Sequence, residues 1–403
     1  MVLSAKPQGL AWTSCWASVR LPFSFDLGEI PRMNRFGFLS ALMLVCLLRP
    51  AFAEDVDDAT RAKDARRVKA LLRLENPQLS EDAKASVLRY LQTKKGTDEF
   101  LSIVAKFQLK EAKEELTSLA VEDAEGTLGV EAARLLLKLG QGDYLTTALT
   151  DKDELKAARL AGALGLVGDP ATNELLLPLV TSERSASLRI AAVTALGRNL
   201  PGQKELLTLV TAGKLPMDLN FAAANVLLTS ADEAVKAAAG KHLRLPATAD
   251  AQPLPPVAEL ARQSGSADEG RKLFAGIGTC AKCHKVKGEG KEVGPDLSEI
   301  GSKLGKDALY VSILDPSAGI SHNFETHLLL LEDGTSLAGI LVSETEAEVS
   351  VKTAEAIVRK IPREEVTAMK KQAVSLMPAD LQKALTAKNL IDIVEYLTTL
   401  KKT

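Results

Sequence analysis

The chain of 403 residues has little cysteine, histidine or aromatic side chain: four Cys, four His, two Trp and an aromatic share of 4%. So few cysteines cannot staple a chain of this length, which excludes a disulfide-rich miniprotein. Few aromatics beside abundant Ala and Leu favour helices held by aliphatic packing over a β-sandwich or propeller. No excess of one charge is present, since 50 Lys and Arg face 52 Asp and Glu for a net charge of −2. That balance gives no footing for nucleic acid or an anionic membrane surface. What the chain does have is 46% apolar and 25% charged residues, enough for two or more packed cores and unlike a collagenous or disordered chain.

Residues 33–53 have the three parts of a secretory signal peptide: Arg35, the apolar run Phe36 to Leu48, and Ala51-Phe52-Ala53 before Glu54. The run would reach only about 20 Å as a helix, short of a comfortable membrane span. Cys46 does not suit lipid attachment, because Val45 is bulky and Leu47 and Leu48 continue the run. Residues 1–32 precede a segment that normally begins a protein, so we expect an upstream extension there and translation from Met33. The expected mature chain is then 54–403, with 45 basic and 50 acidic residues and a formal charge of −5. Its only cysteines are Cys280 and Cys283. We expect an exported, periplasmic protein with no stable membrane span after cleavage.

From 54 to 245 the sequence is almost wholly helix-forming, and a unit recurs. Val130–Gly140, Leu155–Gly165, Leu188–Gly197 and Leu219–Leu228 align by their Ala-Leu-Gly-like ends, at offsets of 25, 32 and 31 residues. A period near thirty with two helices per unit predicts an α-solenoid, and the glycines offer left-handed positions for helix stops. The units resemble short HEAT-like repeats of the bilin-lyase type. Pro246, Pro253, Pro255 and Pro256 mark 246–258 as an extended linker.

The next segment, 259–403, contains Cys280-Ala281-Lys282-Cys283-His284. C-x-x-C-H is the attachment signature of c-type haem, in which two thiols add across the porphyrin vinyls and the following imidazole ligates iron. A thioredoxin-like pair would need a βαβ setting, and a zinc ribbon a second ligand pair; neither is visible. Ser266 can cap a helix over 267–275 that places Gly270 and Phe274 on one face. An amphipathic helix carrying Tyr396 is expected from Asn389 to Leu400. Between them, short strand patterns and the turn signal Asp333-Gly334 predict a small, barrel-like β insertion over 323–372. Met377, Met369, His322 and His327 are the downstream candidates for the sixth iron position, with Met377 preferred because it lies just before the last helix.

These features resemble class I cytochromes c, whose first and last helices cross at a glycine against an aromatic, here Gly270, Phe274 and Tyr396. The resemblance implies that the Pro295 carbonyl, in Gly294-Pro295-Asp296-Leu297, accepts a hydrogen bond from His284, and that Met377 is the axial methionine. His284 and Met377 are 93 residues apart, and the β insertion accounts for the excess over short haem-surrounding helices. The ordered motifs Cys-Ala-Lys-Cys-His, Gly-Pro-Asp-Leu, Ile-Leu-Asp-Pro-Ser-Ala (313–318), Ile361-Pro-Arg and Ser-Leu-Met-Pro are similar to the haem-binding domain abundant in planctomycetes and verrucomicrobia. Its members are often fused to HEAT-like repeats, sometimes with sugar-dehydrogenase-like propellers, of which none is present here.

The expected architecture is therefore mostly α: a HEAT-like solenoid, then a cytochrome c-like helical domain with a small β insertion. The expected function is one-electron transfer through a single covalent haem c ligated by His284 and Met377, with the solenoid docking a redox partner such as a periplasmic dehydrogenase. Such a carrier has no catalytic residues of its own. Two rivals differ in kind: an interaction scaffold with a structural haem, and a haem peroxidase or gas sensor with an open sixth position near His327.

Overall fold

The computed structural model describes residues 57–75 and 77–402. The upstream extension and signal peptide expected over 1–53, with Cys15 and Cys46, lie outside them. Sixteen α-helices and seven strands occur among the described residues, so the chain is mostly helical. The first twelve helices are α1 (Asp58–Leu71), α2 (Glu81–Gln92), α3 (Asp98–Phe107), α4 (Lys113–Glu122), α5 (Thr127–Lys138), α6 (Gly142–Leu149), α7 (Glu154–Val167), α8 (Ala171–Val180), α9 (Ala186–Leu196), α10 (Leu200–Thr211), α11 (Asn220–Leu227) and α12 (Glu233–His242). Polar N-caps set many starts: Ser80, Thr97, Asp153, Ser185, Asn199 and Asp232 each accept from a backbone N–H in the first turn.

The four segments that align in sequence are α5, α7, α9 and α11, and each packs on the next. Their apolar faces, among them Ala133, Leu136, Leu164, Ala192, Leu196 and Leu227, merge into one core with Val68, Val87 and Phe100 from the first helices. Only one of the three unit-ending glycines meets the expectation of a left-handed stop: Gly140 has φ +66°. Gly165 lies inside α7, where a Cβ would fall 2.5 Å from that of Ala195, and a Cβ on Gly197 would meet Val226 at 2.5 Å. Those two glycines serve close helix approach instead.

The proline-rich stretch is pinned rather than extended. Leu254 N–H donates to Pro246 O at 2.8 Å, Ala249 N–H donates to Leu385 O at 2.9 Å, and Ala247 bridges Pro253. Leu254 is 3% exposed, so apolar burial draws the segment onto the second core. That core unites α13 (Val257–Leu260), α14 (Ala267–Ala275), α15 (Lys306–Leu314) and α16 (Ala387–Thr399), with Phe274, Tyr310, Leu390 and Val394 inside it. Phe221 of α11 packs against it, and Asn225 Oδ1 accepts from Val257 N–H at 2.8 Å.

After the two-residue strands β1 (Lys285–Val286) and β2 (Glu289–Gly290), a five-stranded antiparallel sheet holds a third core of Leu329, Val349, Val351, Ile361 and Val366. Its strands are β3 (Thr326–Leu331), β4 (Ser336–Glu344), β5 (Glu348–Lys352), β6 (Val358–Pro362) and β7 (Val366–Lys371), in the order β6-β5-β4-β3-β7. Edges β6 and β7 do not pair, so hydrogen bonds do not close the expected barrel. Strand β7 carries no alternating apolar pattern, because Thr367, Ala368, Lys370 and Lys371 are exposed on this edge and only Val366 is fully buried.

Candidate functional site

The site begins with a helix crossing. A Cβ on Gly270 of α14 would lie 1.9 Å from the Asp392 carbonyl oxygen and 2.8 Å from Tyr396 Cβ on α16, so the backbones touch only because residue 270 has no side chain. Phe274 meets Tyr396 edge to face, with centroids 5.7 Å apart at 67°. The start of α14 is also tied to α16: buried Asp392 accepts from Ser266 N–H at 2.8 Å, and Glu395 accepts from Gly265 N–H at 3.1 Å and from Lys306 at 2.8 Å. A reciprocal capping box between Thr386 and Asn389 starts α16.

From this crossing the chain passes through Thr279, at φ 55°, into a 3₁₀ turn over Cys280–Lys282. Within it Cys283 N–H donates to Cys280 O at 3.0 Å, and His284 N–H donates to the same oxygen at 2.9 Å. The chain then doubles back through β1 and β2. Lys291 N–H returns to Ala281 O at 3.0 Å, and Val293 and Gly294 N–H return to Cys283 O at 2.9 and 2.8 Å. This return brings the Pro295 carbonyl to 2.8 Å from His284 Nδ1. Gly294 lies under the imidazole, where a Cβ would sit 2.6 Å from Cε1.

Burial makes the imidazole harder to protonate, against the pull of the Pro295 carbonyl. The neutral ring therefore donates from Nδ1 to Pro295 and keeps its lone pair on Nε2, the tautomer that binds a metal. Burial also raises the Cys280 thiol to about 11 and shifts Cys283 upward. Both are free thiols held neutral. A C-x-x-C redox pair needs the reverse, a thiol made acidic by its surroundings.

His284 and Cys283 open onto an apolar cleft whose empty space, part of it open to solvent, is about 1000 Å³. Cofactor sites are concave and lined mainly by apolar side chains, and a lining of this character suits a flat, largely apolar macrocycle. Met377 lines the same cleft. It rides on a strap after β7, where Met377 N–H donates to Ser375 Oγ at 3.2 Å and Ser375 N–H donates to Ser317 Oγ at 3.1 Å. The other candidates lie elsewhere. Met369 packs into the core of the sheet, the His322 side chain is 87% exposed, and His327 turns its Nδ1 to Glu325 O at 3.2 Å.

Sequence reasoning did not find the rest of the lining. Ile313 and Leu309 come from α15, Phe324 from the loop before the sheet, Ile340 from β4, and Ala354 from the turn between β5 and β6. Periodicity marks such residues as apolar without saying whether they face a core or a cleft. Among the described residues no group of three or more His, Cys, Asp or Glu could hold a metal ion, and no helix is long and apolar enough to cross a membrane.

Residues 267–328 match the cytochrome c family. The match takes in α14, the Cys-x-x-Cys-His turn and Pro295, and ends at the start of the sheet. It supports a haem-binding, electron-transfer role for this part of the chain. No curated protein matches the chain.

Proposed function

We propose that residues 259–403 hold one haem c, attached through Cys280 and Cys283 and ligated by His284 and Met377, and that the chain is an exported one-electron carrier. The observation that carries this is the convergence on one apolar cleft of an imidazole fixed through its Nδ1, a thioether and the Cys283 thiol, with the Cys280 thiol one turn before it along the chain. Thiol addition across a vinyl group forms a C–S bond and moves the thiol hydrogen to the neighbouring vinyl carbon. Once bound, the haem would supply a one-electron iron couple, with His284 and Met377 as the residues that hold the metal. The Pro295 carbonyl orients His284, the Ser317 and Ser375 hydroxyls hold the strap that presents Met377, and the apolar walls keep water from the iron.

The helices before residue 245 support a second part of the proposal, in which α5, α7, α9 and α11 are successive first helices of HEAT-like repeats. Their sequential packing is what a solenoid requires. This solenoid docks the redox partner, a periplasmic dehydrogenase being one class that needs such an acceptor. No second histidine lines the cleft, which disfavours a peroxidase or gas sensor.

Two measurements test this reading. The oxidised protein is expected to show the weak far-red methionine-to-iron band, and Met377→Ala to lose it and to bind carbon monoxide when reduced. A wild type without that band, or one that binds carbon monoxide as readily as the variant, overturns the ligand assignment. N-terminal sequencing of protein recovered from the native host is expected to begin at Glu54; an intact segment before it, in the cell interior, overturns export.

A further inference from the structure

The sheet is an excursion pinched off at its neck. Gln372 N–H donates to Thr326 O at 2.8 Å, and Lys371 pairs with Glu325 at 3.3 Å, so the chain leaves and returns at one place. Met377 follows six residues after β7. The far corner of the sheet, the turn between β5 and β6, reaches the opposite wall of the cleft. There Lys352 donates to the Glu292 carbonyl at 2.7 Å, and Lys291 makes a longer contact with the Glu355 carbonyl at 3.4 Å. The contacted segment, Lys291–Gly294, is the one whose N–H groups return to Ala281 and Cys283 and whose Gly294 supports the imidazole. Ile340 and Ala354 close the cleft between neck and corner.

We propose that the sheet is a clamp. It joins the strap carrying Met377 to the loop that buttresses His284, and Lys352, seconded by Lys291, is its positioning residue. This inference rests on the haem reading above. The physical need follows from the 93-residue separation of the two ligands. A thioether is a weak ligand, and it stays on the iron only if the strap that presents it is tied to the side that holds the histidine. The helix crossing ties α14 to α16 but makes no contact of this kind with residues 291–294.

The test uses the full-length holoprotein and follows displacement of the methionine by added imidazole in the oxidised state, read as loss of the far-red band. Lys291→Met with Lys352→Met removes both donors and keeps the aliphatic stems. Displacement is expected to be about tenfold faster, the scale set by one hydrogen bond to a charged group. Lys352→Arg, which can still donate, is expected to restore the wild-type rate. A double variant no faster than wild type overturns the clamp and leaves the haem assignment standing. A wild type with no haem, or no methionine band, overturns the haem assignment and the clamp with it. If the double variant does not fold, amide exchange in the wild type decides: Gly294 and Met377 open at one common rate if the sheet clamps them and at unrelated rates if it does not.

Discussion

Serine at both Cys280 and Cys283 is expected to abolish covalent haem, so that denatured protein loses the haem stain and the mass increment that wild type carries. Serine preserves the size of each side chain and the hydrogen bonding of the turn, in which Cys283 N–H donates to Cys280 O at 3.0 Å. It removes only the nucleophilic sulfur. Single substitutions are expected to leave one thioether and a haem that survives denaturation in part. Haem that remains bound to the double variant through denaturation would overturn attachment at this motif. A second control separates attachment from ligation: His284→Ala keeps both thiols and is expected to change the spectrum of whatever haem is attached.

The second large effect is expected at the helix crossing. Gly270→Ala places a methyl group where the Asp392 carbonyl oxygen already stands, 1.9 Å away. Backbone cannot yield as a flexible side chain does, so α14 and α16 must part, and the edge-to-face contact of Phe274 with Tyr396 parts with them. Overpacking usually costs about 1–3 kcal/mol, and a forced separation of two backbones should cost at least about 3 kcal/mol. That corresponds to a fall in melting temperature on the order of 10 °C for a domain of this size. Gly162→Ala is the control, because nothing lies within 4 Å of its added Cβ and alanine in a helix interior should stabilise by roughly 0.5–1 kcal/mol. Equal melting temperatures for the two variants would show that the crossing does not hold the second core together.

The residues differ in how much of their role the sequence announces. The Cys-x-x-Cys-His turn is legible because its chemistry is local: two thiols and an imidazole within five residues share one turn whatever the rest of the chain does. The helix over 267–275 is legible for the same reason, from the Ser266 cap and the Gly270 and Phe274 spacing, and its bounds are those expected. Helices of the first half follow from aliphatic periodicity. The glycines show the limit. Gly140, Gly165 and Gly197 look alike at the ends of similar segments, yet one relieves a backbone angle and two make room for a neighbouring helix. The difference lies in residues about thirty positions away, such as Ala195 and Val226. Prolines misled in the same way: they favour extended backbone, but burial of Leu254 and the Ala249 to Leu385 hydrogen bond decide that the segment folds back.

By itself, then, the sequence determined a helix-rich chain with one haem-attachment motif, and an ordering of helices around it, because caps, periodicity and thiol spacing act over a few residues. Only the tertiary structure decided which downstream side chain shares a cleft with His284. Met369 and Met377 are eight residues apart, the first beside two lysines and the second between Leu376 and Pro378, and it is the pairing of β7 with β3 that sends the first into a core and leaves the second on the strap. The role of Gly294 under the imidazole and the reach of Lys352 across the cleft were settled in the same way. Ten residues separate Gly294 from His284 and sixty separate Lys352 from Glu292, and the folded chain rather than local spacing brings each pair together.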